Sequence, residues 1–245
     1  MDNTACTKEI QDRIRDNLLR ARENIESAAK KAGRRAEDIR LIGVTKTVPP
    51  TVIQALVNLG VRDLGENRAQ ELLAKQPVLD ADLRWHFIGH LQTNKVKQIL
   101  DKVILIHSVD SSRLAAEIDR RAEQAGMVMP ILLEVNIGGE ASKTGVVPGE
   151  FANFVEQVLP YKNVRINGIM CVAPIKKTGV AVDIGKSNHL YFEKARELLV
   201  DIQSRYDTLK AMRELSMGMT EDYQEAIEEG ATMVRIGTGL FGQRV

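Results

Sequence analysis

Residues 39 to 50, Ile39-Arg40-Leu41-Ile42-Gly43-Val44-Thr45-Lys46-Thr47-Val48-Pro49-Pro50, carry an apolar, β-branched stretch into a proline pair, and a helical pattern from Thr51 to Leu59 follows. A short apolar run bounded by breakers reads as a strand, and a strand feeding a helix is half of a βαβ unit. The rhythm then repeats. Similar stretches at Ile39 to Lys46, Val61 to Leu64, Arg84 to Ile88, Val103 to Ser108, Pro130 to Asn136, Val164 to Cys171, Glu214 to Ser216 and Met233 to Ile236 predict eight strands. Helical patterns lie between them, around Thr51 to Leu59, Asn67 to Ala74, Thr93 to Leu100, Ser111 to Ala125, Gly149 to Leu159, Leu190 to Ser204 and Thr220 to Glu229. Eight parallel strands with intervening helices in about 200 to 250 residues make an α/β fold of the (β/α)8 TIM-barrel type. A doubly wound sheet would show fewer strands and a nucleotide loop after the first.

Before the first strand, Ile10, Ile14, Leu18, Ile25 and Ala28 or Ala29 recur at helical spacing among charges, and Gly33 stops the run. Residues 1–33 therefore read as an amphipathic leader helix packed on the barrel. No linker or composition break divides the chain, so residues 1–245 read as a single domain; Ile175 to Ser187 looks like a flexible βα loop.

The 245 residues are 44% hydrophobic and 27% charged, enough for a full core. With 34 Lys and Arg against 33 Asp and Glu the formal charge is +1, which gives no drive toward nucleic acid and favours a small-molecule ligand. Cys6 and Cys171 form no CxxC pair and suit reduced thiols in a cytoplasmic protein. Met1 to Glu9 lacks the apolar core of a signal peptide, and no apolar run nears the roughly 20 residues of a spanning helix, so a soluble protein without membrane contact is expected.

Active sites of such barrels form just after the strands. By alternation Lys46 shares a face with Ile42 and Val44. Burial there would disfavour its charge and prepare it for Schiff-base chemistry; the same spacing equally allows it to snorkel out at the strand end. Arg235 sits inside the apolar run of strand 8, where its donors need acceptors, either a structural ion pair or a ligand. Gly237, Gly239 and Gly242 spell GxGxxG, but the chain ends three residues later, which predicts no following helix and no Rossmann site. Together with Ser216, Gly218 and Thr220 these glycines suit a phosphate, since barrels commonly bind phosphate after strands 7 and 8; helix capping by Thr220 is the plainer reading of that one residue.

Gly65-Glu66-Asn67-Arg68 after strand 2 and Trp85 to Lys95 around strand 3 crowd the same mouth. His86 and His90 have no HExxH glutamate or cysteine partner, so structural histidines are the reading and no metal is expected; His107 and His189 carry less signal.

The blocks Val-Thr-Lys-Thr-Val-Pro, Leu-Gly-Glu-Asn-Arg-Ala-Gln-Glu, Trp-His-Phe-Ile-Gly-His-Leu-Gln-Thr-Asn-Lys, Val-Asn-Ile-Gly-Gly-Glu-Ala-Ser-Lys-Thr-Gly, Leu-Ser-Met-Gly-Met-Thr and Val-Arg-Ile-Gly-Thr-Gly-Leu-Phe-Gly stand in order within residues 41 to 242. In them the chain resembles the YggS/PROSC family of pyridoxal phosphate homeostasis proteins, which share the fold type III barrel of the alanine racemase N-terminal domain. The resemblance implies pyridoxal 5'-phosphate (PLP) as cofactor, a Schiff base on Lys46, and Arg235 beside the pyridine nitrogen. It also implies a phosphate held with the help of Ser216, Gly237 and Thr238, and Asn67 lining the pocket. Gly239 stands where many members carry Ala or Ser, and residues 175 to 187 do not align. The implied function is a cytoplasmic carrier that keeps free PLP low and supplies apo-enzymes, expected to be a monomer and without strong catalysis. A weak amino-acid racemase on the same lysine is the alternative. An opposing acid/base tyrosine is the missing part, because Tyr161, Tyr191, Tyr206 and Tyr223 all fall in helices or approaches to strands.

Overall fold

The computed structural model describes residues 6–140, 143–174 and 187–242. The first half of the chain comprises α1 (Lys8–Lys31), β1 (Arg40–Val44), α2 (Pro50–Asn58), β2 (Asp63–Glu66), α3 (Ala69–Lys75), β3 (Arg84–Phe87), α4 (Val96–Ile99), β4 (Leu105–Val109) and α5 (Ser112–Gln124). The second half adds β5 (Met129–Val135), α6 (Phe151–Val158), β6 (Val164–Cys171), α7 (Ser187–Arg205), β7 (Glu214–Ser216), α8 (Tyr223–Glu228), β8 (Met233–Ile236) and α9 (Thr238–Phe241). All eight strands are parallel and close in sequence order into one barrel, β8 returning to β1 with Ile42 opposite Arg235. The α/β barrel read from the periodicity is the observed fold.

Helix α1 starts where the Thr7 hydroxyl accepts from the Ile10 N–H at 3.4 Å. It ends at Gly33, whose φ of 67° lets the Arg34 N–H return to the Ala29 carbonyl at 2.8 Å. Its stripe of Ile14, Leu18, Ala21 and Ile25 is buried against α2, α8 and α9, each large aliphatic contributing about 1.5–3 kcal/mol by leaving water. Polar contacts fix its rotation. Asn17 donates to the Leu240 carbonyl at 3.0 Å and Asn24 to the Tyr223 hydroxyl at 2.9 Å.

Two layers of core result. Most buried apolar residues lie between the strands and the helices, while Ile42, Leu105, Leu132, Met170 and Met233 form a separate small cluster inside the barrel. Polar side chains take the rest of the inner volume, which makes this interior a binding scaffold rather than a purely apolar plug.

Several boundaries move from the sequence reading. β1 stops at Val44, leaving Lys46 in a turn, and β2 runs two residues later than expected, because hydrogen-bonded pairing with Gly43 and Val44 reaches Leu64 and Gly65. The last glycine motif does open a helix after all: α9 makes one turn, held by burial of Leu240 and Phe241 under α1. Within the expected loop, residues 175–186 lie outside the described part of the chain. Among the described residues no helix is long and apolar enough to cross a membrane.

Closure between β6 and β7 depends on one close approach. Gly168 is paired with Glu214, and a Cβ at Gly168 would stand 1.8 Å from the Glu214 carbonyl oxygen. Strand separation is the only way to admit it, so Gly168→Ala is expected to destabilise by about 3 kcal/mol or more in denaturant unfolding. A loss below about 1 kcal/mol would show that the barrel opens there at little cost.

Candidate functional site

Lys46 emerges from the C-terminal end of β1 on the turn Thr45 to Val48, closed by the Val48 N–H on the Thr45 carbonyl at 2.9 Å. The residue is exposed, so the burial expected of an inward lysine does not act on it; its strand ended two residues earlier. Thr47 takes φ 60°, a left-handed conformation that a β-branched side chain adopts only under constraint. The constraint is visible. The Thr47 N–H donates to Glu71 Oε2 at 2.6 Å, and Lys75 Nζ donates to the Thr45 carbonyl at 2.7 Å, Glu66 Oε1 at 2.7 Å and Glu71 Oε2 at 2.8 Å. The Thr45 hydroxyl completes the set with a bond to Glu66 Oε1 at 2.6 Å.

Glu66 is therefore not a mouth residue: it points away from the barrel interior, fully buried beneath the lysine turn. Burial raises its carboxyl above the usual range while Lys75 pulls the other way. Burial also acts to raise Glu71, but hydrogen bonds from Lys75 and the Thr47 N–H outweigh it and hold Glu71 below the usual range. Of this network only the i,i+4 pair Glu71 and Lys75 is legible in the spacing; both belong to α3 and meet the lysine turn only in space.

Inside the barrel Arg235 is 4% exposed. Nη1 donates to Ser216 Oγ at 2.7 Å and Nη2 to the Cys171 carbonyl at 2.9 Å. Both acceptors are neutral, and among the described residues Arg235 forms no ion pair with a carboxylate. The structural ion pair considered for it is thus not what holds it. A buried guanidinium cannot shed its proton, and the N–H groups beyond these two bonds are open to a further acceptor. Cys171 itself is unreactive, its thiol pushed up to about 12 by burial.

Ser216 is fully buried, its oxygen shared between Arg235 and His107 Nδ1 at 2.9 Å. Gly237 and Thr238 form the entry to α9, with Thr238 exposed and its hydroxyl 3.2 Å from Thr220 Oγ1. Thr220 does not cap α8, whose N-terminal flanking residue is Asp222; its hydroxyl instead accepts from the Gly239 N–H at 3.1 Å, tying the loop after β7 to the loop after β8. Asn67 follows β2, and its Oδ1 is buried without a hydrogen-bond partner among the described residues. Gly89 allows this placement, since a Cβ there would meet the Asn67 carbonyl oxygen at 2.3 Å. Lys46, Asn67, Gly237 and Thr238 follow β1, β2 and β8, Ser216 ends β7, and Arg235 lies within β8 one residue before its end.

The histidines separate. His90 is exposed and its Nδ1 lies 3.3 Å from Asp110, whereas His86 is fully buried inside the barrel, 2.9 Å from His107. His107 carried little weight in the sequence, yet its alternation with Leu105, an inner-cluster residue, was the available signal. Of the tyrosines, Tyr206 donates to Glu156 at 2.8 Å on the exterior, Tyr223 meets α1, and Tyr161 and Tyr191 pack on the outer core.

Known proteins share this arrangement of chain. Residues 17–245 match the family model described as alanine racemase, N-terminal domain. The pyridoxal phosphate homeostasis protein of Aquifex aeolicus (strain VF5) is 46% identical over 230 residues, covering 94% of this chain and 97% of the relative. That of Pseudomonas aeruginosa is 38% identical over 94% of this chain and 96% of its own. Among solved structures, PipY of Synechococcus elongatus PCC7942 with PLP bound is 35% identical with a TM-score of 0.75, covering 84% of this chain and 93% of that one. An alanine racemase of Clostridium difficile 630, 17% identical over 95% of this chain and 57% of its own, has a TM-score of 0.72 and shares the fold.

Lys75→Met leaves the Glu66 carboxylate buried without its cation, which costs about 3 kcal/mol or more. Because the folded-state pKa of Glu66 then lies still further above its unfolded value, the deficit is full at pH 8 and shrinks as pH falls toward 5. Denaturant titrations of both proteins across that range check it; a deficit independent of pH would show that the pairing with Glu66 is not what Lys75 supplies.

Proposed function

The chain belongs to the alanine racemase N-terminal domain family, among the pyridoxal phosphate homeostasis proteins, and from that premise we propose that it binds pyridoxal 5'-phosphate as a Schiff base on Lys46 and serves intracellular PLP homeostasis. The carrying observation is Arg235, a fully buried cation bonded to two neutral acceptors, on the strand next to the one that delivers Lys46.

The residues suit the cofactor. A pyridine nitrogen would accept from an Arg235 N–H that the Ser216 and Cys171 bonds leave open. The loops joined by Thr220 bring the Gly237 and Thr238 backbone near Ser216 for a phosphate, and the unpartnered Asn67 Oδ1 offers one more polar contact. The aldehyde of PLP supplies the carbon that Lys46 can hold covalently.

An arginine donates and never accepts, so it keeps the pyridine nitrogen unprotonated and the ring a weak electron sink. This favours carrying over carbanion chemistry, as does the placement of the four tyrosines on or outside the helical layer. We propose accordingly a carrier, not a strong catalyst, that releases PLP to apo-enzymes and works as a cytoplasmic monomer. Weak racemisation on Lys46 is the alternative activity. Detectable Lys46-dependent interconversion of D- and L-amino acids would favour it.

The test is a visible spectrum of the protein with PLP, followed by borohydride trapping and peptide mass spectrometry. Modification on Lys46 is expected. Lys46→Ala should abolish it with a change in stability within about 0.5 kcal/mol, since the side chain is exposed. Trapping on another lysine, or PLP bound equally well by Lys46→Ala, would sink the assignment. Arg235→Ala should weaken retention and alter the spectrum; unchanged affinity and spectrum would remove it from the site.

A further inference from the structure

Five polar side chains cross the barrel interior in a single file. Asp63 Oδ1 lies 3.0 Å from His86 Nε2, His86 Nδ1 lies 2.9 Å from His107 Nε2, His107 Nδ1 lies 2.9 Å from Ser216 Oγ, and Arg235 Nη1 donates to that oxygen at 2.7 Å. All five are buried. Asp63 begins β2 at the far end of the barrel from Lys46, and there Arg84 grips its two oxygens at 3.0 and 2.5 Å.

Only one arrangement of protons satisfies this file with neutral imidazoles. Arg235 can only donate, so Ser216 accepts from it. Asp63 is ionised, since hydrogen bonds from His86 and Arg84 outweigh burial and hold it down to about 2, so it can only accept. Burial keeps both histidines below their ordinary value, and they stay neutral. His86 must then carry its proton on Nε2 and accept at Nδ1. His107 likewise carries its proton on Nε2, and Ser216 donates its hydroxyl hydrogen to His107 Nδ1. Every link has one hydrogen and every donor points toward Asp63.

We propose that Asp63, His86 and His107 are positioning residues for the PLP site: their one-way chain of hydrogen bonds makes Ser216 an acceptor committed to Arg235, and so fixes the guanidinium edge that faces the pyridine nitrogen. The proposal rests on the PLP reading given above. It assigns a task to residues that no contact with the cofactor would explain. It also commits the Ser216 hydrogen to the barrel interior, so that the hydroxyl has none left to give a phosphate. A packing role alone would need neither the two imidazoles nor the ionised carboxylate, because apolar side chains fill such layers in barrels at lower cost.

Two measurements on the full chain test this. Nitrogen NMR of histidine-labelled protein near pH 7.5, without PLP, should show His86 and His107 as neutral rings protonated on Nε2. An Nδ1–H form or an imidazolium at either ring would overturn the proposal. PLP titration of His107→Phe should then show roughly tenfold weaker binding and a shifted visible band, the loss expected when one buried hydrogen bond is removed. Asp63→Asn should move the same band in the same direction from the opposite end of the barrel. Phe192→Leu, which thins only the outer core, should lower the melting temperature and leave the band in place.

If His107→Phe does not fold, Asp63→Asn and the tautomers carry the test. Wild-type affinity and spectrum in a folded His107→Phe would overturn the positioning role and leave the cofactor assignment standing. Failure of the unmodified protein to bind PLP would overturn the cofactor assignment, and the positioning role with it, whatever the tautomers show.

Discussion

A guanidinium holds its proton under all conditions a protein meets, so enclosing Arg235 in the barrel obliges the neighbouring strands to surround it with acceptors. β6 gives the Cys171 carbonyl and β7 the Ser216 oxygen. The Ser216 hydroxyl then needs an acceptor of its own, which β4 provides in His107, and the demand passes through β3 to a carboxylate on β2. One immovable charge on β8 thereby organises side chains from four other strands and a main-chain carbonyl from a fifth. The inner apolar cluster is correspondingly small, and the larger outer layer between strands and helices holds the barrel together.

The lysine turn obeys a different constraint. Its backbone is strained at Thr47, and strain of that kind persists only where surrounding bonds over-determine it. Lys75 and Glu71 of α3 do so from outside the barrel, with Glu66 beneath. An exposed, flexible side chain is thus mounted on a rigid base. The long stem is free to move while its point of attachment is held.

The two devices meet at the β1 and β8 seam, where Ile42 lies opposite Arg235 and Lys46 follows four residues later. The chain belongs to the alanine racemase N-terminal domain family, and the racemase structure that shares its fold is longer, the match spanning 57% of that chain. In this chain the tyrosines serve α1, Glu156 and the outer core.

The amino-acid sequence by itself determined the eight strands, their alternation with helices, the leader helix and its Gly33 stop, because each rests on a local period or a local backbone preference. It also marked Lys46 and Arg235, a lysine and an arginine among β-branched residues, as anomalies in need of a reason. Tertiary structure decided the rest. Whether Lys46 is buried depended on where pairing with β2 and β8 ends, at Val44, and strand ends are fixed by neighbours rather than by composition. Thr220 read as a cap because capping is local, whereas its partner Gly239 lies across a loop gap. His107, Asp63 and Lys75 drew little notice because the partners that define their roles are distant along the chain, as far as 109 residues for His107 and Ser216, and only the tertiary fold brings those within hydrogen-bonding distance.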